Sequence, residues 1–142
     1  MAIALEVAAA MLNALTAQLD MGADAGYVEI RSGSMPVGTN EFTEDSDCLA
    51  TIILNSPAFY LADTNPQRGV AQADAVVTPS LTDANCRATG DATWFRAFDS
   101  NDRPILDGSI GTIEADMLVV SARIEADKPF TITSWAIQMP VS

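Results

Sequence analysis

The segment from Gly90 to Gly111 constrains the fold of this chain more than any other part of its sequence. It reads GDATWFRAFDSNDRPILDGSIG, so two apolar runs flank the turn-forming cluster Asp99-Ser100-Asn101-Asp102. Aromatic and branched residues on either side of such a cluster are typical of a β-hairpin. Trp94 and Phe95 are adjacent, and adjacent side chains of a strand point to opposite faces of a sheet. We therefore expect both faces of this strand to be covered, either within the chain or by a neighbouring molecule.

The rest of the chain predicts a single helix followed by short strands. Apolar residues recur at helical spacing from about residue 3 to 20, and Gly22 follows as a helix end. We expect the apolar stripe of this helix to pack on the chain's own sheet, with packing on another subunit as the alternative. Strands are predicted near 27–31, 48–54, 70–78, 90–111 (the hairpin), 117–124 and 130–138, with loops at 34–46 and 62–69 and a turn region in the 80s.

About seven or eight short strands behind one helix favour a mainly β fold, an antiparallel β-sandwich or jelly roll spanning about residues 26–140. The repeated helices that a βαβ fold needs are missing from the pattern. With 142 residues the chain is long enough to bury a core without disulfides, and we predict one domain over residues 1–142.

Charge and composition narrow the classes of function. The net charge is −12, from 19 acidic and 7 basic residues, so we expect neither nucleic acid nor a membrane surface as a partner. The sequence has no histidine, which removes the usual general base and a conventional catalytic triad, and we predict that the protein is not an enzyme. The apolar start of the chain is interrupted by Glu6 and has no basic residue before it, so we expect a soluble protein that is not exported.

Several polar residues invite a chemical interpretation that their spacing does not support. Cys48 and Cys86 are predicted to be buried free thiols, with a disulfide left open as the alternative. The acidic residues of the 41–47 region are predicted to be solvated; calcium is the alternative, although the spacing of a calcium-binding loop is missing. These residues are Glu41, Glu44, Asp45 and Asp47. Asp99, Asp102 and Asp107 are predicted to be turn residues rather than a catalytic carboxylate pair. We predict no metal and no cofactor.

The aromatic residues allow two interpretations. A carbohydrate-binding platform would need exposed rings, whereas aromatic residues in β-rich runs more often lie in a core. The residues concerned are Tyr27, Tyr60, Trp94, Phe95 and Trp135. As residues that contact a partner we predict Phe42, Phe59, Tyr60 and Trp94.

Four blocks of the sequence carry a family resemblance. They are IRSGSMP (30–36), LNSPAF (54–59), GDATWFR (90–96) and ILDGSIG (105–111). In this order they resemble a family of small virion structural proteins of tailed bacteriophages, in which a G-x-A-T-W-F-R strand and an L-D-G-x-x-G strand recur. The resemblance covers most of the chain. The chain departs from the family pattern at Asn101-Asp102-Arg103-Pro104, where a turn containing glycine is common.

This resemblance implies a component of the phage particle rather than an enzyme. The role that it implies first is a capsid decoration (cement) protein, which sits on the exterior of the virion capsid after synthesis in the host cytoplasm. The expected partners are the major capsid protein and further copies of the chain, as a homotrimer. The alternative is a tail, neck or fibre-associated structural or receptor-binding module.

Overall fold

The N-terminal helix lies where the sequence predicts it. The structure, a computed structural model, describes residues 2–65 and 69–140. Helix α1 spans Leu5–Ala17 and continues as a 3₁₀ turn over Gln18–Asp20. Ala8, Leu12 and Leu19 are fully buried, so the apolar stripe of the helix packs against the chain itself, as predicted.

The described residues form eleven strands. They are β1 (Tyr27–Arg31), β2 (Cys48–Ile53), β3 (Asp63–Asn65), β4 (Val70–Asp74), β5 (Leu81–Asp83), β6 (Gly90–Asp91), β7 (Trp94–Phe98), β8 (Pro104–Gly111), β9 (Met117–Val119), β10 (Arg123–Ile124) and β11 (Phe130–Pro140). The mainly β fold behind one helix is confirmed. The helix packs on β3, β4 and β11.

The structure has more strands than the sequence predicts, and it departs from the predicted pattern in three places. The predicted strand 117–124 is two strands, because the chain leaves the sheet after β9 and pairs β10 with β6 instead. The predicted loop 62–69 contains the short strand β3, which pairs with β4; residues 66–68 lie outside the described residues. β5 lies in the predicted turn region of the 80s and pairs with β11. Strands this short leave almost no periodicity in a sequence, since long-range pairing alone defines them.

The large sheet has nine strands in the order β2-β1-β7-β8-β9-β11-β4-β3, with β5 also on β11. Its pairs are antiparallel except for β8 and β9, which run parallel at Ile110 and Gly111. The two halves of the sheet face each other in a sandwich-like arrangement. The ring centroid of Trp135 on β11 lies 4.9 Å from that of Phe95 on β7.

The predicted hairpin is confirmed as β7 and β8, which pair from Trp94–Ser109 to Phe98–Pro104. Its turn is closed by the Asp102 N–H, which donates to the Asp99 carbonyl at 3.1 Å. Asp102 has a φ of 64°, a left-handed conformation that Asp tolerates and that glycine more commonly supplies. Asp102 therefore supplies the left-handed residue that this turn requires.

Asp99 holds this turn together from inside. Its side chain is 1% exposed and accepts hydrogen bonds from the N–H groups of Asn101 and Arg103 and from the Arg103 guanidinium. Burial by itself raises the pKa of the Asp99 carboxyl, but the hydrogen bonds and charge of Arg103, with the Asn101 N–H, outweigh burial and lower that pKa. The ionised carboxylate therefore stabilises the folded state.

We predict that Asp99→Asn lowers the free energy of unfolding at neutral pH and that this difference shrinks in acid. Because the folded pKa of Asp99 is depressed, its contribution is complete above the unfolded value of about 3.9 and is lost as pH falls through the folded value. Urea unfolding of both proteins between about pH 6 and pH 2.5 measures the difference. A difference that stays constant over this range would contradict the assignment.

Candidate functional site

Trp94 is covered within the chain by the segment that joins β1 to β2. This segment, residues 32–47, is called here the β1–β2 loop. Trp94 is 3% exposed, and its indole Nε1 donates to the Ser32 carbonyl at 3.1 Å. The neighbouring Thr93 hydroxyl donates to the Gly33 carbonyl at 2.6 Å. Phe95, on the opposite face, is fully buried in the core, so both faces of β7 are covered without a second molecule.

Arg96 attaches the β1–β2 loop to the sheet. Its guanidinium forms a bidentate ion pair with Asp107 of β8, at 2.8 and 3.0 Å. The same group donates to the backbone carbonyls of Glu41 at 2.9 Å and Gly38 at 3.2 Å. Because Arg96 is 4% exposed, these bonds are shielded from water, which makes them stronger than surface bonds.

Arg31 attaches the end of the loop in a similar way. It pairs with Glu29 at 2.7 Å and donates to the Glu44 carbonyl at 2.9 Å. The guanidinium carbons of Arg31 and Arg96 lie 5.7 and 5.4 Å from the centroid of the Trp94 ring, within the range of cation–π attraction. The two arginines therefore bind both the loop and the aromatic residue beneath it.

The anchored loop presents apolar side chains among carboxylates. Val37 and Phe42 are 99% and 83% exposed, and Met35 is half exposed. The side chains of Glu41, Glu44 and Asp45 are exposed beside them. An apolar ring held in water by an ordered backbone has no role in the chain's own core, so this loop is the best candidate for a contact surface.

A second exposed apolar region lies between the helix and the segment after β2. Tyr60 is 58% exposed and Leu61 is 81% exposed. They border a groove of about 430 Å³ whose other walls include Thr16, Ala17 and Phe59. The Ala62 N–H donates to Asn13 Oδ1 at 2.8 Å and ties the segment to the helix.

The four predicted contact residues do not form one surface. Phe42 lies on the β1–β2 loop and Tyr60 beside the helix, both exposed. Phe59 is 5% exposed and packs edge-on against Trp135, with ring centroids 4.7 Å apart. Phe59 and Trp94 are thus covered by the chain, and a contact role for any of the four stays a prediction.

Sequence reasoning missed Arg31 and Arg96, which hold the candidate surface in place. A signal for Arg96 was present, since it follows Trp94 by two positions and therefore shares its face of the strand. The carbonyl groups that the two arginines bind belong to the β1–β2 loop, whose path leaves no pattern in the sequence.

The residues considered for other chemistry are accounted for. Within residues 2–65 and 69–140, no three carboxylate- or thiol-bearing side chains come close enough to bind a metal ion together. Asp99 and Asp102 serve the turn as predicted, whereas Asp107 lies on β8 and pairs with Arg96, so its assignment to the turn was wrong. Cys48 and Cys86 are buried free thiols, as predicted, and burial raises the pKa of both.

The aromatic side chains considered for carbohydrate binding do not form an exposed platform. Trp94, Phe95 and Trp135 are buried, and Tyr27 stacks on Phe98 with ring centroids 4.8 Å apart. Tyr60 alone among the five is exposed. The core interpretation therefore holds for the two tryptophans and Phe95.

Comparison with known proteins gave no match to a family model, to a curated protein or to a solved structure. No helix in the described part of the chain is long and apolar enough to cross a membrane.

Proposed function

We propose that this chain is a non-enzymatic bacteriophage structural protein, a capsid decoration protein that binds the major capsid protein through the β1–β2 loop. The observation that carries the proposal is the exposed Phe42 and Val37 on a loop whose backbone Arg31 and Arg96 attach to the sheet. A loop that is ordered before binding loses less conformational entropy when it docks. The sequence resemblance to small virion proteins supplies the class of partner.

The two kinds of side chain on the loop have different tasks in this proposal. The carboxylates of an acidic chain attract basic patches on a shell and orient the encounter, but exposed charge contributes little to the lifetime of a complex. Phe42 supplies the apolar anchor that slows dissociation, as buried aromatic residues do at interface centres. Self-association into a trimer would add avidity by letting several loops bind the shell together.

Imaging of intact particles tests the location. We expect density for this chain on the outside of the head shell, at a regular position on the capsid lattice. Density in the tail with none on the capsid would overturn the decoration role and favour a tail, neck or fibre-associated module.

A binding measurement tests the loop. We expect Phe42→Ser to weaken binding to shells that lack the protein by about tenfold or more, as loss of a central aromatic anchor does. Val120→Ser is the matched control, since Val120 is 88% exposed outside the loop. Equal binding by the two variants would show that the loop is not the contact surface.

A further inference from the structure

The large sheet contains a gap between β8 and β11. β9 lies between these two strands. It runs parallel to β8, with Met117 opposite Ile110, and antiparallel to β11, with Met117 opposite Trp135. Neighbouring strands are about 4.8 Å apart, so β8 and β11 are about 10 Å apart where β9 separates them. β9 begins only at Met117, whereas β8 extends back to Pro104 and β11 forward to Pro140. No strand among the described residues therefore continues the line of β9 between β8 and β11.

This gap, called here the inter-strand slot, is an open cleft of about 490 Å³. It is lined by Leu106 and Asp107 of β8, residues 135–138 of β11, Ala115 and Asp116 just before β9, Val70 of β4, and Phe95 in the core. Consecutive residues of β8 and of β11 line it, so the slot meets these strands at their edges rather than at one face.

Asp116 occupies the last hydrogen-bonding position on β8 and on β11 before the slot begins. Its carboxylate Oδ2 accepts from the Ser109 N–H at 2.9 Å, and its carbonyl accepts from the Ala136 N–H at 3.2 Å. Backbone groups on one edge of a strand recur at every second residue. The next N–H and C=O groups that face the slot therefore belong to Asp107 on β8 and Gln138 on β11.

The two faces of the sheet differ in polarity around the slot. Leu106 pairs with Ala97, and Ile137 pairs with Ala73, so both lie on the face that packs inward with Phe95 and Trp135. Asp107 and Gln138 lie on the opposite face. The indole Nε1 of Trp135 is buried and has no hydrogen-bond partner among the described residues.

We propose that the inter-strand slot binds one extended segment of a partner protein, which continues the line of β9 and pairs with the edges of β8 and β11. Addition of a strand to unpaired sheet edges is a general mode of peptide recognition, in which backbone bonds give affinity and alternate side chains give specificity. Apolar side chains of the segment would enter between Leu106 and Ile137. Asp107 is already paired with Arg96, so basic side chains at the alternate positions would lie beside the exposed Asp116.

Charge favours a partner over a second copy of this chain. The chain has 19 acidic and only 7 basic residues, so its own segments rarely carry basic side chains to place beside Asp116. A second copy would also bring a net charge of −12 against a surface of the same sign. The proposal does not depend on the role in a phage particle, and the slot shares no exposed residue with the β1–β2 loop.

Amide hydrogen exchange measured by NMR on the full chain tests the proposal residue by residue. The probe is a blocked synthetic peptide of alternating valine and lysine, about seven residues long, as a typical strand is. In the free protein we expect the amides of Asp107 and Gln138 to exchange at least about tenfold faster than those of Leu106 and Ile137, whose N–H groups face a paired strand. Saturating peptide should slow the two fast amides by about tenfold or more.

Two control peptides separate the parts of the proposal. Alternating valine and glutamate should protect these amides much less, and a central proline in the lysine peptide should abolish protection because it removes a backbone donor. Equal protection by the glutamate peptide would contradict the proposal that the partner segment is basic. If no peptide protects the amides of Asp107 and Gln138, the slot is not a binding site. The same conclusion follows if these amides are already protected in the free protein at all concentrations. Protection that grows with protein concentration alone would assign the slot to a second copy and contradict the proposed occupant.

A pair of variants at one position isolates the backbone contribution. Gln138→Pro removes the N–H that faces the slot, whereas Gln138→Ala removes only the side chain and its bond to Gln72. We expect the dissociation constant of the lysine peptide to rise about tenfold or more for the proline variant and to change less than about twofold for the alanine variant. Equal affinities for the two variants would contradict strand addition at β11. If Gln138→Pro does not fold, the exchange measurement on the unmodified chain decides alone.

Discussion

Replacement of Arg96 by alanine is expected to lower the free energy of unfolding by about 3–5 kcal/mol, as removal of one partner from a buried ion pair does. The side chains of Arg96 and Asp107 are only 5% and 9% exposed, and their ion pair is bidentate. Alanine leaves the Asp107 carboxylate in a buried site without its cation. The carbonyls of Gly38 and Glu41 lose their donor at the same time, so the β1–β2 loop should detach from Trp94.

Urea unfolding at neutral pH measures the loss, and near-ultraviolet circular dichroism reports on the environment of Trp94. Arg123→Ala is the matched control, because Arg123 pairs with Asp91 at 3.4 Å on the surface, with both side chains more than half exposed. Exposed ion pairs contribute about 0–1 kcal/mol. If the two variants were equally stable, the buried pair would not be what holds the loop.

Replacement of Phe95 by alanine is expected to cost about 3–5 kcal/mol, the usual range for loss of a buried aromatic side chain. Phe95 is fully buried where the two halves of the sheet meet and packs edge-on against Trp135. Its ring lies against Gly108, where a Cβ atom would collide with it, so the surrounding backbone is closely fitted to the ring. Alanine therefore leaves a cavity that its neighbours fill only in part.

The matched control is Phe42→Ala, which removes the same ring from the exposed tip of the β1–β2 loop. We expect it to change the free energy of unfolding by less than about 0.5 kcal/mol, because its ring gains little burial on folding. Thermal and urea unfolding of both variants measure the contrast. A similar loss in both would mean that Phe42 is packed rather than exposed, which would also remove it as a candidate anchor.

Local patterns predicted the elements that are long or that are bounded by clear turn residues. The helix has a sustained apolar stripe, and the hairpin has two apolar runs around a polar turn; both signals lie within about 20 residues of sequence. Short strands such as β3 and β5 were missed because their pairing with β4 and β11 defines them. The parallel contact of β8 with β9 left no signal either, since it depends on how the chain turns between Gly111 and Met117.

The candidate site was predictable only in part. The sequence places Phe42 among acidic residues in a loop, and the structure leaves it exposed there. The sequence treats Trp94 and Phe59 as equally good contact residues, yet the structure buries both within the chain. Arg96 contacts carbonyl groups 55 and 58 positions away, a distance that no local pattern spans.

The sequence by itself determined the acidity of this protein, its N-terminal helix, its hairpin and the opposite orientations of Trp94 and Phe95. These properties follow from composition and from the periodicity of neighbouring residues, which act over a few positions of the chain. Only the tertiary structure decided that the β1–β2 loop covers Trp94 and that a slot remains between β8 and β11. Both depend on which distant segments meet, because burial and strand pairing are properties of contacts between segments and not of the segments themselves.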